Sequence, residues 1–184
     1  MKFIPQAIPD ILLWEPNLRK DNRGYFVETF RKDILEDAIK HKINFVQDNE
    51  SKSTKGVLRG LHYQIFPYAQ SKLVRVIEGS VLDVVVDLRK SSQTFGKHLS
   101  IVLSSENKFQ LFIPRGFAHG FVVLSDEAIF SYKVDNYYSK EHERGIAYKD
   151  KNLGINWQLP FEKLKLSEKD KNYPLLSETH DLFE

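Results

Sequence analysis

The chain contains no cysteine, which excludes disulfide bonds, thiolate metal sites and a cysteine nucleophile. It lacks any apolar run long enough to cross a bilayer. Its opening residues, Met1-Lys2-Phe3-Ile4-Pro5, do not begin the apolar stretch of a signal peptide, so a cytoplasmic location is expected. Charge of one sign is also scarce. The 27 Lys and Arg against 25 Asp and Glu leave a net charge of +2, with no basic tract of the kind that binds nucleic acid or a membrane surface. No repeat, low-complexity tract or linker interrupts the 184 residues. A single domain spanning residues 1–184, large enough to bury its own core, is therefore expected.

What the chain has in abundance is strand signal. Tyr25–Phe30 and Asn44–Glu50 read as strands flanking a short helix over Asp33–Lys40. Lys72–Glu78 and Val81–Leu88 are rich in β-branched residues, and Gly79-Ser80 between them reads as a two-residue hairpin turn. Further strands are expected over Leu99–Leu103, Phe109–Ile113, His119–Val123 and Ala128–Val134, and Ser167-Glu168-Lys169-Asp170 resembles a capping box opening a short helix. Many short antiparallel strands predict a mostly β fold, a sandwich, jelly roll or closed barrel with a few short helices.

In a tight hairpin, Lys72, Val74 and Val76 share a face with Val81, Asp83 and Val85. The other face carries Leu73, Arg75 and Ile77 with Leu82, Val84, Val86 and Leu88. Both faces are largely apolar, as expected of a hairpin lining an interior on one side and packed on a second sheet or subunit on the other. Two readings of Lys72 and Asp83 stand: polar groups on an apolar wall, or strand-end residues that reach solvent.

The segment Val57-Leu58-Arg59-Gly60-Leu61-His62-Tyr63-Gln64 also reads as a strand, with a cation and an imidazole either side of a glycine. Such a pair suits an anionic ligand beside a proton-transfer centre, whereas a lone strand His is more often a core or surface residue. Histidines occur at 41, 62, 98, 119, 142 and 180. Pro114-Arg115-Gly116-Phe117-Ala118-His119 resembles the second signature of metal-binding cupins, but the first fails, because Gln64 stands where the His-x-His pair needs its second imidazole. No metal ligand set is therefore assigned. Proton transfer requires none: His62 can act as base, Tyr132 is of a type that can return a proton from the other side, and Lys72 can stabilise an enolate.

The motifs Arg23-Gly24-Tyr25-Phe26-Val27-Glu28, Phe45-Val46-Gln47-Asp48-Asn49, Leu58-Arg59-Gly60-Leu61-His62-Tyr63-Gln64, Lys72-Leu73-Val74-Arg75-Val76, Val84-Val85-Val86-Asp87-Leu88-Arg89, Ile113-Pro114-Arg115-Gly116-Phe117-Ala118-His119-Gly120-Phe121 and Glu141-His142-Glu143-Arg144-Gly145 follow in order. In these, from Arg23 to Asp170, the chain closely resembles the dTDP-4-dehydrorhamnose 3,5-epimerases, cupin-like enzymes that use no metal. The resemblance implies a jelly-roll barrel needing no cofactor, which inverts C3 and C5 of a dTDP-4-keto-6-deoxy sugar. It implies His62 as base, Asp170 as its orienting carboxylate, Tyr132 as the opposed acid and Lys72 as the enolate-stabilising cation. By the same resemblance Arg59, Gln47, Asp48, Asn49, Arg23 and Lys169 fall on or beside positions that hold the diphosphate and nucleoside. Glu28, His119 and Glu143 match further substrate contacts, and Tyr138 matches the aromatic that stacks on thymine, with Phe26 nearby. The family is usually a homodimer whose amino-terminal strands extend the partner's sheet, so Arg23, Phe26 and Glu28 are expected to serve the partner's pocket. The remaining histidines, 41, 98, 142 and 180, match no site position.

One physical demand follows from the spacing. Arg59 and His62 are three positions apart, so a regular strand points them to opposite faces. Both reach one ligand only if the ladder is irregular, and Gly60 is the expected place for a bulge.

Overall fold

The computed structural model describes residues 2–184. Thirteen strands follow in chain order: β1 (Lys2–Pro5), β2 (Leu12–Glu15), β3 (Arg19–Asp21), β4 (Gly24–Phe26), β5 (Gln47–Thr54), β6 (Leu58–Gln64), β7 (Lys72–Glu78), β8 (Ser80–Asp87), β9 (His98–Ser104), β10 (Gln110–Ile113), β11 (Phe117–Val123), β12 (Glu127–Val134) and β13 (Glu143–Gly145). The helices are α1 (Lys32–Ile39) and α2 (Glu168–Lys171). Tyr25–Phe30, expected as one strand, pairs only over Gly24–Phe26, and the strand expected from Asn44 begins at Gln47.

The strands form two antiparallel sheets packed face to face, ordered β1-β2-β10-β7-β12-β5 and β13-β6-β11-β8-β9, plus the small β3-β4 ribbon. The fold is mostly β and cupin-like, as expected. The hairpin expected at Gly79-Ser80 is not there. β7 lies in the six-stranded sheet and β8 in the five-stranded one, so Gly79 is a corner where the chain changes sheets. Its φ of +76° needs glycine, and an added Cβ would fall 2.1 Å from the Glu127 carbonyl. A turn signal in sequence marks where the chain reverses but not which sheet it re-enters.

The side-chain faces come out the same by this other route. Val74 and Val76 meet Val81, Val85, Phe117, Phe121 and Phe130 in the core between the sheets. Leu73 packs on the outer face of the six-stranded sheet with Trp14, Leu35 of α1, Ile43 and Phe112. Leu82, Val84, Val86 and Leu88 are covered on the other outer face by Ile146, Leu153, Trp157 and Phe183 of the carboxy-terminal segment. The chain therefore buries both apolar faces within itself, each fully buried Leu or Phe contributing about 1.5–3 kcal/mol.

The expected irregularity in β6 is present. His119 of β11 stands opposite His62 while Phe121 stands opposite Arg59, so three steps along β6 match two along β11. The extra residue returns Arg59 and His62 to one side of the sheet. Gly60, at φ +137°, lies so close to Gly120 that a Cβ on it would fall 2.4 Å from the Gly120 Cα. Neither backbone can retreat from the ladder. Gly60→Ala is accordingly expected to lower the unfolding free energy by about 2–5 kcal/mol. Urea denaturation checks this, and an unchanged midpoint would mean that the strand accommodates a side chain here.

Candidate active site

A cavity of about 400 Å³ opens between the sheets, within the range of small-molecule sites. The five-stranded sheet contributes Arg59 and His62 from β6 with His119 and Phe121 from β11. The six-stranded sheet contributes Asn49, Lys72, Phe130 and Tyr132 from β5, β7 and β12, while Ser167, Lys169 and Asp170 close one side. A smaller adjoining cavity of about 120 Å³ is bounded by Gln47, Gln64, Tyr138 and Glu143. Sites contributed by chain segments more than a hundred residues apart are thus assembled by the sandwich.

His62 Nε2 lies 2.5 Å from Asp170 Oδ1, and since a carboxylate can only accept, this ring nitrogen carries the proton and leaves Nδ1 with the free lone pair. Asp170 is itself fixed. Ser167, the amino-terminal cap of α2, donates its hydroxyl to Asp170 Oδ2 at 2.9 Å and accepts the Asp170 N–H at 3.1 Å. Burial raises the Asp170 pKa, but the His62 hydrogen bond and charge, with the Ser167 hydroxyl, outweigh it and hold the carboxyl below its ordinary range. Tyr173 stands edge-on against the imidazole, with centroids 5.6 Å apart.

Behind this pair is a second one. His119 Nε2 meets Asp83 Oδ2 at 2.8 Å, both side chains buried, and Asp83 Oδ1 has no hydrogen-bond partner among the described residues. Asp83 therefore sits on the interior wall and does not reach solvent, the first of the two readings of its position. Burial lowers the His119 pKa more than Asp83 raises it, which favours a neutral imidazole. Burial likewise lowers the Lys72 ammonium from 10.5 to about 8, against the raising charges of Asp83 and Glu143. Tyr132 is pushed up by burial, opposed by the charge of Arg59. Arg59 hydrogen-bonds only a hydroxyl, Ser53 Oγ at 3.2 Å, among the described residues, so its charge remains available to an anion.

At the rim, Glu143 accepts from the Tyr138 hydroxyl and the Lys169 ammonium, each at 2.8 Å. Burial raises the Glu143 pKa, but these two hydrogen bonds bring it below the ordinary value. Gln47 donates to Asn49 Oδ1 at 2.8 Å and accepts the Tyr138 N–H at 3.1 Å.

Four of the residues singled out in the sequence lie elsewhere. Asp48 alternates to the outer face of β5 and pairs with Lys133 at 2.8 Å. Arg23 pairs with Asp21, and Phe26 and Glu28 border a separate hollow with Asn17, Arg19 and Ile34. Gln64, at the second ligand position of the first cupin signature, spends its amide on backbone groups. Among the described residues no three His, Cys, Asp or Glu side chains gather as a metal cage, and no helix is long and apolar enough to cross a membrane. Ser167 and Tyr173 had no sequence signal as site residues, because their roles arise only once α2 folds against β6.

Comparison with known proteins identifies the family. Residues 5–178 match the model of the dTDP-4-dehydrorhamnose 3,5-epimerase family. The chain belongs to that family. It is 58% identical over 172 residues to the dTDP-4-dehydrorhamnose 3,5-epimerase of Shigella flexneri, covering 94% of each chain. The crystal structure of the Elizabethkingia anophelis dTDP-4-dehydrorhamnose 3,5-epimerase superposes with a TM-score of 0.94 at 49% identity, covering 97% of each chain. That of a dTDP-6-deoxy-D-glucose-3,5-epimerase of Legionella pneumophila in complex with dTDP-4-keto-L-rhamnose gives 0.92 at 47% identity, covering 96% of this chain and 93% of the other.

The lowered pKa of Asp170 has a measurable sign. Its contribution to stability is present above the unfolded value of about 3.9 and is lost as pH falls through the lower folded value. Asp170→Asn is thus expected to lose about 1.5–3 kcal/mol near neutral pH. The deficit should shrink as pH drops below about 3.9, which urea denaturation at stepped pH measures. A deficit independent of pH would mean that His62 and Ser167 do not stabilise the Asp170 charge.

Proposed function

We propose that this member of the epimerase family converts dTDP-4-dehydro-6-deoxy-D-glucose to dTDP-4-dehydro-L-rhamnose, inverting C3 and C5 by proton abstraction and reprotonation. The supporting observation is that His62 and Tyr132 come from facing sheets onto one cavity, with Lys72 beside them. A ketone acidifies the hydrogens on both neighbouring carbons. His62 Nδ1 takes one, the electron pair passes to the C4 oxygen as an enolate, and Lys72 stabilises that charge. Tyr132 then returns a proton from the opposite wall, so the carbon inverts. The sugar turns and the same groups act on the second carbon. Asp170 orients His62 and stabilises the imidazolium. Arg59 neutralises the diphosphate, Asn49, Gln47 and Lys169 contact the nucleotide, Tyr138 stacks on the base, and His119 and Glu143 contact the sugar. No cofactor takes part in this scheme.

We further propose a cytoplasmic homodimer of single-domain subunits in which the amino-terminal β3-β4 strands are exchanged, Arg23, Phe26 and Glu28 completing the partner's pocket. Support comes from the β3-β4 ribbon, whose Tyr25 and Phe26 are 55% and 61% exposed and do not line the pocket of their own chain.

Turnover of the dTDP-4-keto sugar in deuterated water, with exchange and inversion scored at each carbon, tests the chemistry. His62→Ala should abolish exchange at both carbons, a fall of at least about 10²–10⁴-fold; persistent exchange would remove His62 as base. Tyr132→Phe should suppress inversion more than exchange, and equal loss would count against the opposed acid. Inversion at C3 alone would make the enzyme a 3-epimerase. Because the ammonium form of Lys72 is the useful one, kcat/KM should fall as pH rises through about 8. For the shared pocket, mixing inactive Arg23→Ala and His62→Ala subunits should restore activity, since one pocket of each hybrid is then intact. No recovery would assign Arg23 to its own subunit or to no pocket.

A further inference from the structure

Gln64 ends the strand that carries His62, two residues further along and on the same side. Its side chain is only 5% exposed. The amide is fully used. Nε2 donates to the Tyr68 carbonyl at 2.7 Å and to the Tyr137 carbonyl at 3.2 Å, and Oε1 accepts the Ser139 N–H at 2.7 Å. All three partners are main-chain groups of two irregular segments, 65–71 and 135–139. Those segments are also tied to each other, because Asn136 donates to the Pro67 carbonyl at 2.9 Å and Gln70 to the Asn136 carbonyl at 2.8 Å. Between the two atoms that Gln64 grips in the second segment lies Tyr138, its ring 55% exposed at the mouth of the smaller cavity.

We propose that Gln64 is the positioning residue for the nucleotide end of the pocket: its buried amide clamps the 137–139 turn so that the Tyr138 ring stands ready before an aromatic base arrives. This rests on the reading of Tyr138 as the base platform. A loop held in its bound conformation avoids the ordering cost that association otherwise imposes, so the clamp acts on affinity and leaves the chemistry at His62 alone. It also explains why a residue so near the base is an amide. A carboxylate would face two carbonyls, and an imidazole cannot supply two donors and one acceptor together.

Calorimetric titration with dTDP alone, beside steady-state kinetics, tests the clamp. Gln64→Met removes both donors and the acceptor for Ser139 without adding a charge beside His62 and Lys72. It should weaken dTDP binding and raise KM about tenfold, with kcat within about twofold of the unaltered enzyme. Unchanged dTDP affinity, or a loss confined to kcat, would overturn the proposal. In a Tyr138→Ala background, Gln64→Met should add almost no further loss of dTDP affinity, whereas fully additive losses would show that Gln64 acts by another route. Should the Gln64 variants fail to fold, amide exchange in the unaltered protein decides. The Ser139 N–H should exchange at least about tenfold more slowly than that of exposed Lys140, and equal rates would overturn the clamp. None of these binding and exchange measurements depends on turnover, so an unaltered enzyme without epimerase activity would count against the catalytic reading alone.

Discussion

Strand geometry sends residues three apart to opposite faces, and a pocket lined by both Arg59 and His62 must break that rule at one place without breaking the sheet. The break is the extra residue of β6 opposite β11. It is possible because Gly60 and Gly120 approach more closely than any side chain allows. Across this point the strand divides by side: Leu58, Leu61 and Tyr63 serve the core, while Arg59, His62 and Gln64 face the pocket. A cation for an anionic group and a proton acceptor are thereby brought to one cavity by a single strand.

The electrostatics of the pocket follow from its position between two packed sheets. Desolvation works against every charge there, and each group answers it differently. Asp170 keeps its charge because His62 and Ser167 bind it. His119 leans toward neutrality despite Asp83. Lys72 is left near 8, at the edge of losing its proton under ordinary conditions. Such separated environments for groups of similar type are what proton-transfer sites require.

Much of this was legible in the chain. The β-rich pattern, the short helix before β5, the capped turn at Ser167 and the glycine bulge were visible because each depends on local chemistry. The placement of β7 and β8 in different sheets was not. Gly79-Ser80 carries the residues of a hairpin turn, and a corner between sheets demands the same backbone freedom. The face assignment survived because alternation is a property of each strand, whichever sheet it joins. Asp83 was ambiguous for a related reason: its interior position follows from Val81 and Val85 beside it, but only folding supplies His119 as its partner. Asp48 lies between two pocket-facing residues, and the period of the strand, read strictly, turns it away.

The placement of base and acid on separate sheets has a further consequence. On the proposed mechanism every inversion carries one proton equivalent across the cavity, leaving an imidazolium on one wall and a phenolate on the other. Neither group is then fit to act again. The second carbon must wait until both have been recharged by proton traffic with the solvent. His62, its side chain 27% exposed against 6% for Asp170, has the more open path. Tyr132, half-buried like His62 and raised by burial, regains its proton strongly once one arrives. The interval between the two inversions is therefore governed by water reaching the cavity as well as by the sugar's turning, and an active site this enclosed is in part a proton-relay device.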